Sequence, residues 1–285
     1  WVVDMDLSKC FDTLDHELIL ASFSRRIKDG SILALLRKTL KSGVMTGEGW
    51  QASEVGSPQG GVISPLIANV YLDSFDQFLK GRGHRIVRYA DDILILCGSK
   101  SAADNALEQA SRYLEEALLL TVNREKTHIC HSYKGVKFLG VSIHSAFTRI
   151  QSAKIKSFKA KVKAMTRRNS PVNLEKVIEG LNPVLRGFAN YFRIAHCKGV
   201  MSLLARWLRR RLRAIQLKLW KKPMRLHRRL RQLGYKGEFD AIKMNSWANA
   251  ASPLSHYALP NRYLHEELGL FDLSAVTTGI TVSVI

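Results

Sequence analysis

The sequence changes character at Gln151. Before it, short apolar runs typical of strands alternate with segments whose apolar residues recur every three or four positions, as in amphipathic helices. After it, only the helical spacing remains. We therefore expect residues 1–150 to form an α+β domain, an antiparallel sheet with helices packed on one face. Residues 151–240 are expected to form an all-α domain, and residues 241–285 a C-terminal tail without an assigned role.

The charge of the chain follows the same boundary. The formal net charge is +20; residues 151–240 contain 24 Lys and Arg against 4 Asp and Glu, whereas the other 195 residues contain 20 of each. Helix faces so poor in acids repel one another unless a polyanion neutralises them. We expect that polyanion to be nucleic acid rather than an anionic membrane surface.

The composition also argues against two classes of protein. The chain has no run of eighteen apolar residues and no signal-like start, so neither a membrane span nor secretion is indicated. Its four cysteines are scattered without a paired spacing, which disfavours a disulfide framework. We expect a soluble intracellular protein.

Three acidic residues of the first domain carry the strongest chemical signal. Asp6 lies in the apolar strand pattern WVVDMDL, and Asp91 and Asp92 form the tip of a predicted hairpin, HRIVRYADDILILCG. Carboxylates packed together need a cation, and two neighbouring strands would bring Asp6 and Asp91 within a few ångströms of each other. An all-oxygen site of this kind suits Mg²⁺ and a triphosphate. The alternative is that the hairpin acids are simply solvated, because Asp is common in turns.

Five motifs, in order along the chain, resemble those of reverse transcriptases. They are DLSKCFDTLDH from Asp6, SPQGGVISPLIANVYLD from Ser57, YADD from Tyr89, NREKT from Asn123 and FLG from Phe138. A later segment, LNPVLRGFANYFR, resembles the thumb, or maturase domain, of proteins encoded by bacterial group II introns. The resemblance implies a polymerase palm followed by a helical thumb. It also leads us to expect a protein of the bacterial cytoplasm, associated with nucleic acid. We expect further that the family's N-terminal fingers are missing here, so that this piece binds RNA but polymerises poorly or not at all.

The resemblance assigns roles to individual residues. The catalytic and metal-ligating residues would be Asp6, Asp91 and Asp92, holding two Mg²⁺ ions. The nucleotide pocket would include Phe11, Gln59, Gly60 and Lys126. In that pocket the Phe11 ring would clash with a ribose 2′-hydroxyl, and Lys126 would meet the triphosphate or donate a proton to pyrophosphate. His16 is expected to brace its turn rather than to react.

The basic residues of the second domain are expected to follow nucleic-acid phosphates. They are Lys154, Lys156, Lys159, Arg167, Arg168, Arg206, Arg209, Arg210, Arg211 and Arg213. Contacts of this kind position a nucleic acid rather than specify its sequence. The aromatic residues between them are spaced as in a helix core, so we interpret most of them as core rather than as stacking platforms.

Together these features predict an RNA-directed DNA polymerase that uses two metal ions and also assists intron splicing. Its expected partners are group II intron RNA, an RNA template with a DNA primer, and deoxynucleoside triphosphates. Two alternatives stay open at this point: a non-catalytic RNA-binding splicing factor, and a reverse transcriptase of the retron or defence type. The sequence does not indicate an oligomeric state.

Overall fold

The computed structural model describes residues 1–46, 49–51, 55–57, 61–169, 172–238 and 250–277. The chain divides into two compact units, unit 1 (Trp1–Phe138) and unit 2 (Leu139–Ile285). Unit 1 contains β1 (Val2–Met5), α1 (His16–Ser24), α2 (Gly30–Leu40), β2 (Val44–Thr46), β3 (Gly49–Gln51), α3 (Ser64–Gly81), β4 (Arg85–Tyr89), β5 (Asp92–Leu96), α4 (Lys100–Arg112), β6 (His128–Cys130) and β7 (Val136–Phe138). Unit 2 contains β8 (Val141–Ile143), β9 (Thr148–Ile150), α5 (Ser152–Met165), α6 (Leu174–Phe192), α7 (Lys198–Leu219), α8 (Pro223–Gln232) and α9 (Pro253–Ala258).

The central sheet of unit 1 has the strand order β4–β5–β1–β6, and each neighbouring pair is antiparallel. Val3 and Met5 of β1 are fully buried, as are Ile93 and Ile95 of β5. These residues join the core formed with α3 and α4. Because side chains alternate along a strand, the residues between them point to the other face. The expected fold, an antiparallel sheet with helices on one face, is confirmed.

Helices in unit 1 begin where the sequence supplies a cap. The Asp15 side chain accepts a hydrogen bond from the Leu18 N–H at the start of α1, and Ser99 does the same for α4. Helix α3 has Pro65 in its first turn, as its sequence predicts. Tyr71 of α3 is fully buried, and its hydroxyl donates to the Leu118 carbonyl at 2.7 Å.

Short strands are where the structure departs from the sequence-based expectations. The Gly-rich sequence after α2 predicts a loop, yet residues 49–51 form β3, which pairs with β2. The apolar run at residues 120–122 is typical of a strand, but within it only Val122 makes a bridge, to Leu7. A strand is recognised in a sequence by apolar and polar residues that alternate over several positions. Segments of three residues are too short to show this alternation.

The core of unit 2 lies between α5, α6 and α7. Its members include Phe158, Val162, Ile178, Leu181, Leu185, Leu208 and Leu212. The antiparallel β8–β9 hairpin adds Val141 and Ile150 to the same core. Within the described part of the chain, every helix is too short or too polar to cross a bilayer.

The described C-terminal segment, residues 250–277, packs against the helices of unit 2 that precede it. Leu264, Leu270 and Leu273 enter its main core. Arg213 of α7 is 3% exposed; its Nε donates to the Leu259 carbonyl at 2.9 Å, and a terminal nitrogen donates to Asn261 Oδ1 at 2.8 Å. Weak periodicity in this part of the sequence gave no hint of such packing.

Candidate active site

The register of β1 and β5 brings Asp6 and Asp92 together. Met5 pairs with Ile93, so the next residues along the two antiparallel strands, Asp6 and Asp92, face each other. Since Met5 and Ile93 point into the core, both carboxylates lie on the opposite face of the sheet. Asp4 shares this face because it is two residues before Asp6. We call the face that carries Asp4, Asp6 and Asp92 the acidic face.

The third predicted carboxylate, Asp91, lies in the tight turn between β4 and β5. Ala90, the other turn residue, has a φ of 54°, a left-handed conformation that costs a non-glycine residue energy. Arg88 compensates by donating to the Ala90 carbonyl at 3.0 Å. Its guanidinium also makes two bonds to Asp76 of α3, at 2.8 and 2.7 Å, and one to Asn69 at 3.0 Å. The turn is thereby tied to the longest helix of unit 1.

Asp6 is held by residues of the NREKT motif. The Lys126 ammonium donates to Asp6 Oδ2 at 3.2 Å, and the Asn123 side-chain amide donates to the same oxygen at 3.1 Å. The Asp6 carboxylate is 31% exposed and the Lys126 side chain 68%. A cation is therefore already associated with Asp6, on the exposed side of the sheet.

Like charges at this site act on one another. The pKa of Asp92 is raised, first by burial and then by the Asp91 and Asp6 carboxylates, while Lys126 lowers it. The pKa of Asp4 is raised by burial; His128 lowers it, and Asp92 and Asp6 raise it. The pKa of the Cys10 thiol is raised to about 12, first by burial and then by the Asp91 carboxylate. Four carboxylates thus share one electrostatic environment, which a bound divalent cation would relieve.

The donor set fits magnesium by its chemistry, because every candidate ligand is a carboxylate oxygen. The arrangement is not yet a coordination shell: among the described residues, no three Asp, Glu, His or Cys side chains converge on a point that would hold a metal ion. Asp6 is paired with Lys126 instead. The Lys126 ammonium thus occupies the same Asp6 oxygen that a cation could use.

The segment after β1 supports the loop that carries the predicted nucleotide pocket. The Phe11 carbonyl accepts the Ser57 N–H at 2.7 Å, and the Phe11 ring is half-buried against the core. His16 Nε2 donates to the Gly56 carbonyl at 2.7 Å, so the contact links the start of α1 to the Gly56 turn rather than to its own turn. Gly56 has a φ of 83°, and a Cβ there would lie 2.6 Å from the Asp12 carbonyl oxygen. Gln59 and Gly60 lie outside the described residues.

The predicted phosphate-binding residues of unit 2 differ in exposure and in their contacts within the protein. Those with exposed side chains are Lys154, Lys156, Arg167, Arg206 and Arg210, whereas Lys159 and Arg168 are half-buried. The Arg209 guanidinium contacts His265 and Asp272, and that of Arg211 donates to the Thr166 hydroxyl and carbonyl at 2.6 and 2.7 Å. Arg213 is buried, so its placement does not support contact with nucleic acid.

A groove of about 500 Å³ lies between α5 and α6, and we call it the aromatic groove. Its floor includes Phe158 and Phe188, whose rings stack with centroids 4.0 Å apart. Lys154 and Lys161 lie on its α5 side, and Gly187 on its α6 side. Among the described residues that line it, none is acidic.

Sequence reasoning missed four residues that the structure brings to these sites: Asp4, Arg88, Asn123 and Lys161. Asp4 had a usable signal, because a residue two before Asp6 in a strand must share its face. Lys161 also had one, since it is seven residues, or two helical turns, after Lys154. The partners of Arg88 and Asn123 are distant in sequence, so no local pattern indicates them.

Comparison with known proteins agrees with the motifs. Residues 1–143 match the family model for reverse transcriptase (RNA-dependent DNA polymerase), and residues 155–234 match the maturase-specific domain of group II introns. These matches confirm the resemblance drawn from the five motifs. An apo telomerase structure from Candida tropicalis matches with a TM-score of 0.47 and 11% identity, over 97% of this chain and 47% of the telomerase.

Two curated relatives extend the comparison. Protein YkfC of Escherichia coli K12 is 36% identical over 174 residues, which cover 49% of this chain and 46% of YkfC. The group II intron-encoded protein LtrA of Lactococcus lactis is 28% identical over 224 residues, which cover 55% of this chain and 37% of LtrA. The chain thus spans less than half the length of either relative.

Proposed function

The chain belongs to the reverse transcriptase (RNA-dependent DNA polymerase) family, and from this premise we propose that it polymerises DNA on an RNA template. We propose further that it binds group II intron RNA and assists splicing, as its match to the maturase-specific domain suggests. The observation that carries the catalytic proposal is the cross-strand placement of Asp6 and Asp92 on the acidic face, next to the Asp91 turn.

In the proposed reaction, the 3′-hydroxyl of a DNA primer attacks the α-phosphate of a deoxynucleoside triphosphate, and pyrophosphate leaves. Asp6, Asp91 and Asp92 are the residues that would hold two Mg²⁺ ions, and these ions would supply activation of the hydroxyl and stabilisation of charge on the leaving group. The pKa of Asp92 is raised first by burial and then by the Asp91 and Asp6 carboxylates, and the cross-strand placement of these acids supports the assignment because a bound cation would relieve their repulsion.

Lys126 and Phe11 contribute the nucleotide contacts in this proposal. Lys126 is largely exposed and held by an ion pair with Asp6, so it is able to move from Asp6 to the triphosphate. There it neutralises phosphate charge or protonates pyrophosphate. Phe11 has its main chain fixed by the Ser57 N–H, which supports a ring position that screens the sugar.

The nucleic acid is proposed to lie along the aromatic groove of unit 2. Lys154 and Lys161 are two helical turns apart on one side of the groove, about 10 Å along the axis, where both can meet phosphates of one backbone. Phe158 and Phe188 offer apolar surface between them. Gly187, on the opposite side, leaves room for a sugar-phosphate chain.

A leucine at position 187 tests this placement. A Cβ at Gly187 would meet nothing within 4 Å, so the Cβ of Gly187→Leu is accommodated at the side of the groove, and the change raises helix propensity by about 0.5–1 kcal/mol. We expect the variant to be at least as stable as the wild type, yet to bind an RNA/DNA hybrid about tenfold more weakly, or about 1.4 kcal/mol. Fluorescence anisotropy with a labelled hybrid measures the affinity.

The matched control is Gly199→Leu, a change in α7 that also enters open space and does not line the groove. It should leave affinity for the hybrid unchanged. Equal binding by the Gly187→Leu variant and the wild type would exclude the aromatic groove as the binding surface.

The second candidate function is that of a non-catalytic RNA-binding splicing factor. It is favoured by the maturase-domain match and by the basic charge of residues 151–240. Primer extension separates the two candidates. The purified protein is incubated with an RNA template, an annealed DNA primer, deoxynucleoside triphosphates and Mg²⁺. The catalytic proposal expects Mg²⁺-dependent extension, whereas tight RNA binding without any extension would favour the splicing factor.

A further inference from the structure

The backbone and the side chain of Asp6 are bonded to a single turn. The Asp6 carbonyl accepts the Asn123 N–H at 2.9 Å, and the Asp6 N–H donates to the Thr127 hydroxyl at 3.2 Å. Asp6 Oδ2 accepts the Asn123 side-chain amide at 3.1 Å. The N–H, the carbonyl and the carboxylate of Asp6 are therefore all held by the same turn. Together these bonds define the direction of the Asp6 side chain.

Asn123 is itself held in place by the turn that it starts. Its Oδ1 accepts the N–H groups of Glu125 and Lys126 at 3.2 and 3.3 Å, and its carbonyl accepts the Thr127 N–H at 2.9 Å. An Asn that bonds to the backbone two and three residues later is a recognised turn-forming arrangement. Because Oδ1 is occupied by the turn, the amide nitrogen is left directed at Asp6.

The turn does not depend on these side chains for its attachment to β1. Leu7 forms a bridge with Val122, and the Ser8 N–H donates to the Thr121 carbonyl at 2.9 Å. Backbone pairing therefore keeps the segment beside Asp6 when the Asn123 and Thr127 side chains are replaced. Their bonds to Asp6 serve a purpose other than holding the strands together.

We infer that Asn123 and Thr127 are positioning residues for Asp6, which set the direction of its carboxylate before a divalent cation arrives. The inference rests on the proposed function, in which Asp6 is a metal ligand. Residues that hydrogen-bond a metal-ligating side chain without touching the metal orient that ligand. Loss of one such bond weakens metal affinity by about 10- to 100-fold. Lys126 differs from both residues because it competes with the cation for Asp6 Oδ2.

Cation affinity, rather than activity alone, tests the inference. Mn²⁺ is titrated into the purified protein, and free Mn²⁺ is followed by its electron paramagnetic resonance signal. Thr127→Val has the same shape but cannot accept the Asp6 N–H, whereas Thr127→Ser keeps the hydroxyl. Asn123→Ser keeps an oxygen for the turn but cannot reach Asp6. Asp6→Asn serves as the reference for loss of the ligand.

We expect Thr127→Val and Asn123→Ser to weaken Mn²⁺ binding by about tenfold or more. Thr127→Ser, which keeps the hydroxyl, should bind Mn²⁺ as tightly as the wild type. The Mg²⁺ concentration needed for half-maximal primer extension should rise in parallel. Unchanged Mn²⁺ affinity in both weakened variants, alongside clear loss in Asp6→Asn, would overturn the inference and leave the proposed function intact. Unchanged affinity in Asp6→Asn would overturn both. A lower melting temperature without a change in affinity would assign these residues a purely structural role.

Discussion

Replacing Asp6 by Asn is expected to lower Mg²⁺-dependent primer extension on an RNA template by about 10³-fold, while the protein stays folded. A metal ion contributes several kcal/mol to this kind of reaction, and each 1.4 kcal/mol corresponds to about tenfold in rate. Asn keeps the shape of Asp but removes the negative charge that the cation requires. The side chain lies at the end of β1 and is partly exposed, so the fold does not depend on its charge. Single-turnover extension rates at saturating Mg²⁺ provide the measurement.

Asp4→Asn is the matched control for this experiment. Asp4 lies on the same strand and on the same acidic face, and it too loses one negative charge. Burial already raises the pKa of Asp4, so a neutral side chain suits its surroundings. The Asp4 variant should retain extension. If the Asp6 variant extended the primer as fast as the Asp4 variant, the metal-ligand role of Asp6 would be wrong.

Replacing Arg88 by Met should destabilise the protein by about 3–5 kcal/mol, the usual cost of leaving a buried carboxylate without its partner. The Arg88 and Asp76 side chains are only 9% and 16% exposed. The same change removes the donor to the Ala90 carbonyl, so the turn that carries Asp91 loses its link to α3. Urea unfolding gives the stability, and primer extension should fall even where the variant is fully folded.

Two further variants establish the cause. Arg112→Met removes an exposed ion pair with Glu108 one helical turn away, and such pairs contribute about 0.5 kcal/mol or less. Arg88→Met combined with Asp76→Leu removes both buried charges, which should recover most of the stability without restoring the bond to Ala90. A loss for Arg88→Met no larger than that for Arg112→Met would contradict this account.

Sequence periodicity predicted those parts of the fold in which the pattern is long enough to be distinctive. Helix α3 begins near Pro65 and ends at Gly81 as expected, and the hairpin around Asp91 is present. The β2–β3 hairpin was missed, because strands of three residues show almost no alternation. The packing of residues 250–277 was also missed, because its contacts are to residues far back in the chain, such as Arg213.

The parts of the candidate site that follow from local strand patterns were also predictable from the sequence. Strand alternation and the hairpin position predict that Asp6 lies near the hairpin acids, but the expectation paired it with Asp91, whereas the register of β1 and β5 places Asp92 opposite it. The roles of Arg88 and Asn123 depend on partners that only the folded chain brings close. Charge alone misled in unit 2: Arg213 looks like its basic neighbours in sequence, but it lies on the buried side of α7.

The buried Arg213 has a consequence for how the protein is made. Burial, with Arg209 nearby, lowers the pKa of Arg213 to about 10, so the group remains charged at neutral pH and requires its partners Leu259 and Asn261. Those partners are synthesised about forty-six residues after Arg213. Until they have left the ribosome, α7 cannot bury this charge without a large penalty. Unit 2 therefore reaches its final packing only after residues 259–261 have been synthesised, and a nascent chain halted before residue 259 should still be open to proteases or chaperones at this helix.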